Sequence, residues 1–151
     1  MHLTHHLLTL EVDNEFGVLT RISAQIRREG WNIPGLSVAE LPGGLTARLT
    51  LSLLCPQSSA AAVTGRLSRL NCVRSIEYCT DSTHSIAELA LFACDDGDEA
   101  LKAGCSEVSG GVYRFCGKKD EVDSLIERLS PRGLSRSGEI AVKRKYPNNS
   151  I

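Results

Sequence analysis

The chain has few aromatic residues, no bias of charge and no long hydrophobic run. Aromatic residues make up 5% of its 151 residues, and the formal net charge is −1. A balanced charge gives no long-range attraction to phosphates, so we expect no nucleic-acid partner. No apolar run approaches the roughly 20 residues needed to span a bilayer, and the N-terminus lacks the features of a secretory signal. We therefore expect a cytoplasmic protein without a membrane partner.

Motifs of the common catalytic sites are also absent. The sequence contains no G-x-S-x-G nucleophile motif, no H-E-x-x-H zinc motif and no G-x-x-x-x-G-K-S/T phosphate loop. We therefore expect no catalytic residues. A small enzyme that uses residues outside these motifs stays open as an alternative, and turnover by the isolated protein would support it.

Residue types that bind metals are present, but without the spacing that a metal site requires. The six cysteines form no C-x-x-C pair, so in a reducing cytosol we expect small buried apolar side chains. His2, His5 and His6 have no partner at a recognisable ligand spacing, and we expect partly exposed strand histidines. The acidic run at 95–99 lacks the ligand pattern of a calcium loop, which favours a turn that caps a short helix. We expect no metal site.

The first half of the chain begins with a strand pattern and then a helix pattern. Apolar and polar residues alternate over 6–12, which predicts a half-buried strand. The apolar positions Leu19, Ile22 and Ile26 then recur at helical spacing, and Gly30 is the expected end of this helix.

The next strand is predicted to contain a bulge and to lie at a sheet edge. Ile33 is at an odd-numbered position, whereas Leu36 and Val38 are at even-numbered positions. Because side chains alternate between the two faces of a strand, these residues share a face only if one extra residue is inserted at Pro34-Gly35. Proline has no N–H to donate, which favours an edge strand.

A hairpin turn at 41–44, a third strand, a second helix and a fourth strand complete this half. Their predicted apolar positions are Leu45, Ala47, Leu49, Leu51 and Leu53, then Ala60, Val63, Leu67 and Leu70, and finally Val73, Ile76 and Tyr78. The order βαββαβ is the ferredoxin-like arrangement, in which both helices cover one face of a four-stranded antiparallel sheet.

A second, weaker copy of this pattern follows, so we predict an α+β protein of two tandem ferredoxin-like domains. Its parts are a strand at 86–94, a short helix, a hairpin at Gly110-Gly111, a helix with Val122, Leu125, Ile126 and Leu129 inside, and a last strand at 139–143. The predicted division is a first domain at 1–80, a linker at 81–85, a second domain at 86–145 and a flexible tail at 146–151.

Several residues between 12 and 39 form a set that is typical of one family. They are the N-x-x-G of Asn14 and Gly17, the hydroxyl of Thr20, and G-W-N-I-x-x-L-S-V-A from Gly30 to Ala39. This segment resembles the first ACT domain of the small regulatory subunit of acetolactate synthase, and the resemblance returns at Arg136-Ser137-Gly138. Members of that family carry a longer helical segment in the second domain, so the second domain here is expected to be shortened.

The resemblance implies an effector site between the two ACT domains of a dimer. The helix start after residues 13–17 offers unpaired N–H groups to a carboxylate, and side-chain amides suit a zwitterion. A structural alternative is that Asn14 caps the helix and Gly17 relieves strain in the turn. The predicted effector-binding residues are Asp13, Asn14, Gly17, Val18, Thr20, Asn32, Ile33 and Ala39. Of these, Asn14, Gly17, Thr20, Asn32 and Ala39 match positions that the resemblance ties to effector binding.

The function that the resemblance implies is regulatory. It predicts a non-catalytic homodimer that binds valine or a similar branched-chain amino acid and controls the catalytic large subunit of acetolactate synthase in branched-chain amino acid biosynthesis. Thiamine diphosphate, flavin and magnesium would belong to that subunit, so no cofactor is expected here. The alternative is a stand-alone ACT-type amino-acid sensor with another partner, and a neighbouring large-subunit gene would favour the first reading.

Overall fold

A computed structural model describes residues 2–146, which form two compact units. Within this range, residues 2–85 and 141–146 belong to the first unit and residues 86–140 to the second. Apart from Tyr146, the tail predicted at 146–151 lies outside the described residues. None of the helices in the described range combines the length and the apolar character that a membrane crossing needs.

The first unit has the predicted βαββαβ order. Its sheet is antiparallel, with strand order β2-β3-β1-β4. The elements are β1 (Thr4–Asp13), α1 (Val18–Arg28), β2 (Asn32–Glu40), β3 (Thr46–Cys55), α2 (Gln57–Leu67) and β4 (Val73–Cys79).

A single apolar layer joins this sheet to both helices. Leu51 of β3, Ile26 of α1 and Val63 of α2 are each 0% exposed and belong to the same buried cluster. Leu8 and Leu10 of β1 lie in it as well. Both helices therefore cover the same face of the sheet, as the sequence predicted.

Two leucines predicted as core residues are exposed instead. Leu19 is 45% exposed, whereas Val18, Ile22 and Ile26 are buried. The buried stripe of α1 thus runs at intervals of four residues, and Leu19 lies about 100° around the helix from Val18. Leu45 is 77% exposed because β3 begins only at Thr46.

The predicted bulge and edge position of β2 are both confirmed. Asn32 lies opposite Leu54 and Gly35 lies opposite Ser52, so the register shifts by one residue between them. β2 has β3 as a neighbour on one side and is an end strand of its sheet. The inserted residue brings Ile33, which packs against the core, onto the same face as the residues that follow the bulge.

His6 is buried, although partly exposed histidines were predicted. Its Nδ1 lies 2.6 Å from the Tyr78 hydroxyl, and its Nε2 lies 3.0 Å from the Cys55 carbonyl oxygen. These contacts satisfy both ring nitrogens at a position that is 2% exposed. Across residues 2–146, no group of three or more histidine, cysteine, aspartate or glutamate side chains could hold a metal ion.

The cysteines are free, and most are buried as predicted. Cys55, Cys72, Cys79 and Cys105 are buried, and Cys116 is exposed. Burial raises the pKa of the Cys55, Cys79 and Cys105 thiols. A raised pKa keeps these groups in the unreactive thiol form at neutral pH.

The second unit repeats the fold on a smaller scale. Its strand order is β6-β7-β5-β8, and α3 has six residues where each of the other three helices has eleven. The elements that contribute to it are β5 (His84–Ala93), α3 (Gly97–Lys102), β6 (Ser106–Ser109), β7 (Val112–Gly117), α4 (Lys119–Leu129) and β8 (Arg132–Lys143).

The first and last strands of this sheet begin earlier than predicted. β5 starts at His84, inside the predicted linker, and β8 covers 12 residues rather than the predicted 139–143. Gly133 and Gly138 adopt φ values of 59° and 73° within β8. Such glycines read as loop signals in the sequence, but an edge strand accommodates them as local bends.

A buried ion pair joins β5 to β8. Glu88 is 3% exposed, and both of its carboxylate oxygens accept hydrogen bonds from Arg136, at 2.7 Å from Nε and 2.8 Å from Nη2. Arg136 Nη1 also lies 2.8 Å from Asp123 Oδ1. The hydrogen bonds that Arg136 donates to Glu88 and Asp123 raise the pKa of its guanidinium group. The two-pronged contact neutralises a carboxylate that would otherwise be buried without a partner.

We predict that Leu51→Ala lowers the free energy of unfolding by about 2–5 kcal/mol, because it leaves a cavity in a packed core. Leu45→Ala is the matched control, since Leu45 is 77% exposed and Leu51 is 0% exposed. Denaturant titration of both variants measures the difference. Similar losses in the two variants would contradict the core described above.

We predict that Arg136→Met lowers the free energy of unfolding by about 3–5 kcal/mol, since it leaves Glu88 buried and unpaired. Arg132→Met is the control on the same strand, because Arg132 and its partner Asp95 are 75% and 82% exposed. Removal of an exposed pair should change stability little. An Arg136 variant as stable as the Arg132 variant, in the same titration, would refute the structural role of the Glu88 pair.

Candidate functional site

The loop between β1 and α1 is held in place by Asn14. Its backbone N–H donates to the Leu45 carbonyl at 3.0 Å. Its side-chain Nδ2 donates to Glu40 Oε2 at 2.8 Å and to the Gly44 carbonyl oxygen at 2.9 Å. Asn14 therefore ties this loop to the hairpin between β2 and β3. It does not cap α1, which rules out that part of the structural alternative.

The start of α1 has no side chain that caps it. Gly17 is the N-cap residue, with φ of 81°, and no acidic residue lies in the first turn. The Arg21 N–H donates to the Gly17 carbonyl at 3.0 Å, so the N–H groups of Leu19 and Thr20 precede the first intrahelical bond. Free N–H groups and the positive end of the helix dipole together favour an anion.

The equivalent loop of the second unit is already capped. Asp96 precedes α3, and its Oδ1 accepts a hydrogen bond from the Glu99 N–H at 3.0 Å. Asp98 and Glu99 add two further negative charges to the first turn. The prediction that this acidic run caps a short helix is thus confirmed. These negative charges would repel an anionic ligand at the start of α3, whereas the first turn of α1 contains no acidic residue.

The two loops share one further contact. Arg74 Nε donates to Asp13 Oδ1 at 2.6 Å in the first unit. Arg132 forms an ion pair with Asp95 in the second. In each case an arginine at the beginning of the fourth strand holds an aspartate in or after the first strand. The contact is therefore common to both loops, whereas the free helix start is particular to α1.

Three predicted site residues lie around a second feature, a cavity of about 410 Å³. Thr20 of α1 lines it together with Asn32 and Ile33 of β2. Ser23, Ala24, Ile26, Arg27 and Trp31 complete the lining. A pocket of this size could hold the side chain of a small amino acid.

The other predicted residues are distributed as follows. Asn14 and Gly17 lie at the helix start, and Ala39 is exposed next to Glu40, the partner of Asn14. Val18 is 4% exposed and lies in the core, so its backbone is the part that could reach a ligand. Within one subunit, Asn32 and Ile33 thus form one group at the beginning of β2, and Asn14 and Ala39 form a second group at its end, while Thr20 takes part in both the cavity and the helix start.

Two charged residues were missed by sequence reasoning. Arg74 pairs with Asp13 from 61 positions further along the chain, and Glu40 contacts Asn14 from 26 positions away. Neither stands at a spacing that a local motif would reveal. Only the folded sheet brings them to the loop.

The fold and the loop geometry together define an ACT-type protein, with a ferredoxin-like domain whose first loop opens onto a free helix start. A family model described as the AHAS small subunit-like ACT domain matches residues 8–75. The acetolactate synthase small subunit of Aquifex aeolicus is 31% identical over 93% of this chain and 81% of that protein. The small subunit of Mycolicibacterium smegmatis is 28% identical over 92% of this chain and 91% of that protein.

The chain belongs to the acetolactate synthase small-subunit family. Among solved structures, the small subunit from Thermotoga maritima matches with a TM-score of 0.81 and 19% identity, covering 95% of this chain and 99% of that one. That likeness supports the fold of two tandem ferredoxin-like domains. The predicted class, a small regulatory subunit rather than the catalytic chain, agrees with the names of these relatives.

We predict that Gly17→Ala lowers the free energy of unfolding by about 1–2 kcal/mol, because a side chain disfavours the left-handed backbone there. No atom within 4 Å would obstruct the new methyl group, so the loss measures backbone strain alone. Gly65→Ala, in the interior of α2 and equally unobstructed, is the control and should stabilise by about 0.5–1 kcal/mol. Denaturant titration that finds the same sign for both would disprove the strained turn.

Proposed function

We propose that this chain is the regulatory subunit of an acetolactate synthase and binds valine or a similar branched-chain amino acid at the interface of two ACT domains. Residues 1–80 would carry the effector site, and 86–145 would form the second domain. The observation that carries the proposal is the free start of α1, because the equivalent start of α3 is occupied by Asp96. Membership of the small-subunit family supports the same function.

The chemistry at the loop suits an α-amino acid. The N–H groups at the start of α1 would receive the α-carboxylate, and Gly17 lets the ligand approach the backbone. Asn14 would contact the polar end of the ligand. The apolar side chain of Ile33, on the helix-bearing face, would favour a branched aliphatic group over a polar one.

A dimer would unite the two groups of predicted residues. β2 is an end strand, and a second copy could extend the sheet by pairing its own β2 antiparallel to it. In such a two-fold pairing, the beginning of one β2 lies beside the end of the other. The cavity near Asn32 and Ile33 of one copy would then adjoin Asn14 and Ala39 of its partner.

The exposed apolar residues of β2 support this pairing. Leu36 lies opposite Leu51 and Val38 lies opposite Leu49, so both are on the helix-bearing face. They remain 41% and 43% exposed, because the helices do not cover the sheet edge. Burial of this surface against a second copy would stabilise the dimer.

Binding at such an interface gives a route to regulation. A ligand that contacts both copies stabilises one arrangement of the dimer over another, and this shifts the equilibrium between them. The catalytic large subunit of acetolactate synthase would sense that shift and be subject to feedback control. Any thiamine diphosphate, flavin or magnesium would be bound by that subunit.

Calorimetric titration with valine, leucine and isoleucine tests the proposal. The wild-type protein should bind at least one of them. Asn14→Ala should weaken binding by at least about tenfold, since it removes a polar partner of the ligand. Gly17→Asp should abolish binding, because it adds a negative charge where the carboxylate would sit. Gly65→Ala, on the exposed side of α2, should leave binding unchanged.

Two outcomes would redirect the proposal. A folded dimer that binds none of the three amino acids would show that the loop is structural. A protein that binds valine but neither associates with a large subunit nor alters its activity would instead be the stand-alone sensor. Co-purification with the large subunit, followed by activity assays with and without valine, separates that case from regulation.

A further inference from the structure

Asn14 has a fixed side-chain orientation because of the two atoms that hold it. Its amide lies 2.8 Å from Glu40 Oε2 and 2.9 Å from the Gly44 carbonyl oxygen. A carboxylate and a carbonyl are both acceptors, so the group between them must be the NH₂ of Asn14. Both of its amide hydrogens are therefore used within the protein.

This leaves one polar atom of the Asn14 side chain for a ligand. The remaining atom is Oδ1, which can only accept hydrogen bonds. Asn14 is exposed, so Oδ1 is accessible to solutes. An acceptor suits an ammonium group and not a carboxylate. Asn14 thus marks the end of the site that receives positive charge, three residues before the helix start that receives negative charge.

Glu40 adds a negative charge next to Asn14, and a negative charge attracts an ammonium group. Its carboxylate is exposed and contacts the neutral amide of Asn14. Two other carboxylates belong to this part of the chain: Asp13, whose Oδ1 is paired with Arg74, and Glu15, which is exposed in the loop itself. Of the three carboxylates, Glu40 is the one that accepts a hydrogen bond from the Asn14 side chain, so its negative charge is held beside that amide.

We propose that Glu40 is a positioning and specificity-determining residue for the ligand of the first unit. It orients the Asn14 amide so that Oδ1 faces the ligand, and its charge attracts an ammonium group. The site would accordingly select α-amino acids over hydroxy acids that have the same carbon skeleton and carboxylate. This inference rests on the proposed function and adds to it the residue that recognises the amino group.

The test compares two probes on the full chain. The dissociation constants of L-valine and of 2-hydroxy-3-methylbutanoate are measured by calorimetry for the wild type and for Glu40→Gln. The substitution keeps the size of the side chain and removes its charge. Glu127→Gln, on the exposed face of α4, is the control for the change in net charge.

We expect Glu40→Gln to raise the dissociation constant of valine by about tenfold or more, as for the loss of a charged hydrogen-bond partner. The constant for the hydroxy acid should stay within about twofold, because that probe carries no ammonium group. Glu127→Gln should change neither value. In the ligand-free protein, Glu40→Ala should also shift one of the two Asn14 side-chain amide proton signals upfield in an NMR spectrum.

Three results would overturn the inference. Unchanged valine binding in Glu40→Gln would show that Glu40 plays no part in recognition. Equal losses for valine and the hydroxy acid would show that the substitution disturbs the loop as a whole. A wild-type protein that binds neither probe would overturn the proposed function, and the role of Glu40 would fall with it.

Discussion

The first unit depends on the pairing of β1 with strands on both of its sides. β1 meets β3 at ten successive positions, from Thr4 opposite Cys55 to Asp13 opposite Thr46, and it meets β4 on its other edge. This fixes which of its residues enter the core. It also fixes where the chain leaves the sheet, because the Asp13 N–H donates to the Cys72 carbonyl at 2.9 Å. The loop to α1 therefore starts from a rigid point, and rigid supports are what binding loops require.

The two units show how one topology can serve different purposes. Both have a loop between the first strand and the first helix, and in both an arginine of the fourth strand holds an aspartate there. What differs is the residue at the helix start, glycine in one unit and aspartate in the other. The aspartate satisfies the helix internally, whereas the glycine leaves N–H groups for a ligand. The same position in the fold therefore carries an uncapped helix start in the first unit and a capped one in the second.

The sequence predicted those features that depend on neighbouring residues. The alternation through Leu49, Leu51 and Leu53 predicted the third strand, and all three are at most 1% exposed. The change of parity at Pro34-Gly35 predicted the bulge, because side-chain direction along a strand has a period of two. Gly17 and Asn14 were predicted to lie in the loop for the same local reason.

Features that depend on distant residues could not be predicted in this way. His6 is buried because Tyr78, 72 positions later, meets it across the sheet. Glu40 reaches Asn14 only after β2 and β3 have formed their hairpin. The predicted β8 was too short because Gly133 and Gly138 resemble loop residues in the sequence, although an edge strand tolerates them. Each of these misses involves a contact made by the folded chain, for which spacing along the sequence holds no signal.

The central claim is that the free start of α1, and not the capped start of α3, receives the carboxylate of an amino acid. An NMR titration of the ¹⁵N-labelled protein with valine tests this most directly, since it reports on every backbone N–H group at once. The account predicts the largest shifts at Leu19 and Thr20, together with the Asn14 side chain, and no comparable shift in α3. Saturable shifts centred on Asp98 to Ala100, or none at the start of α1, would contradict it.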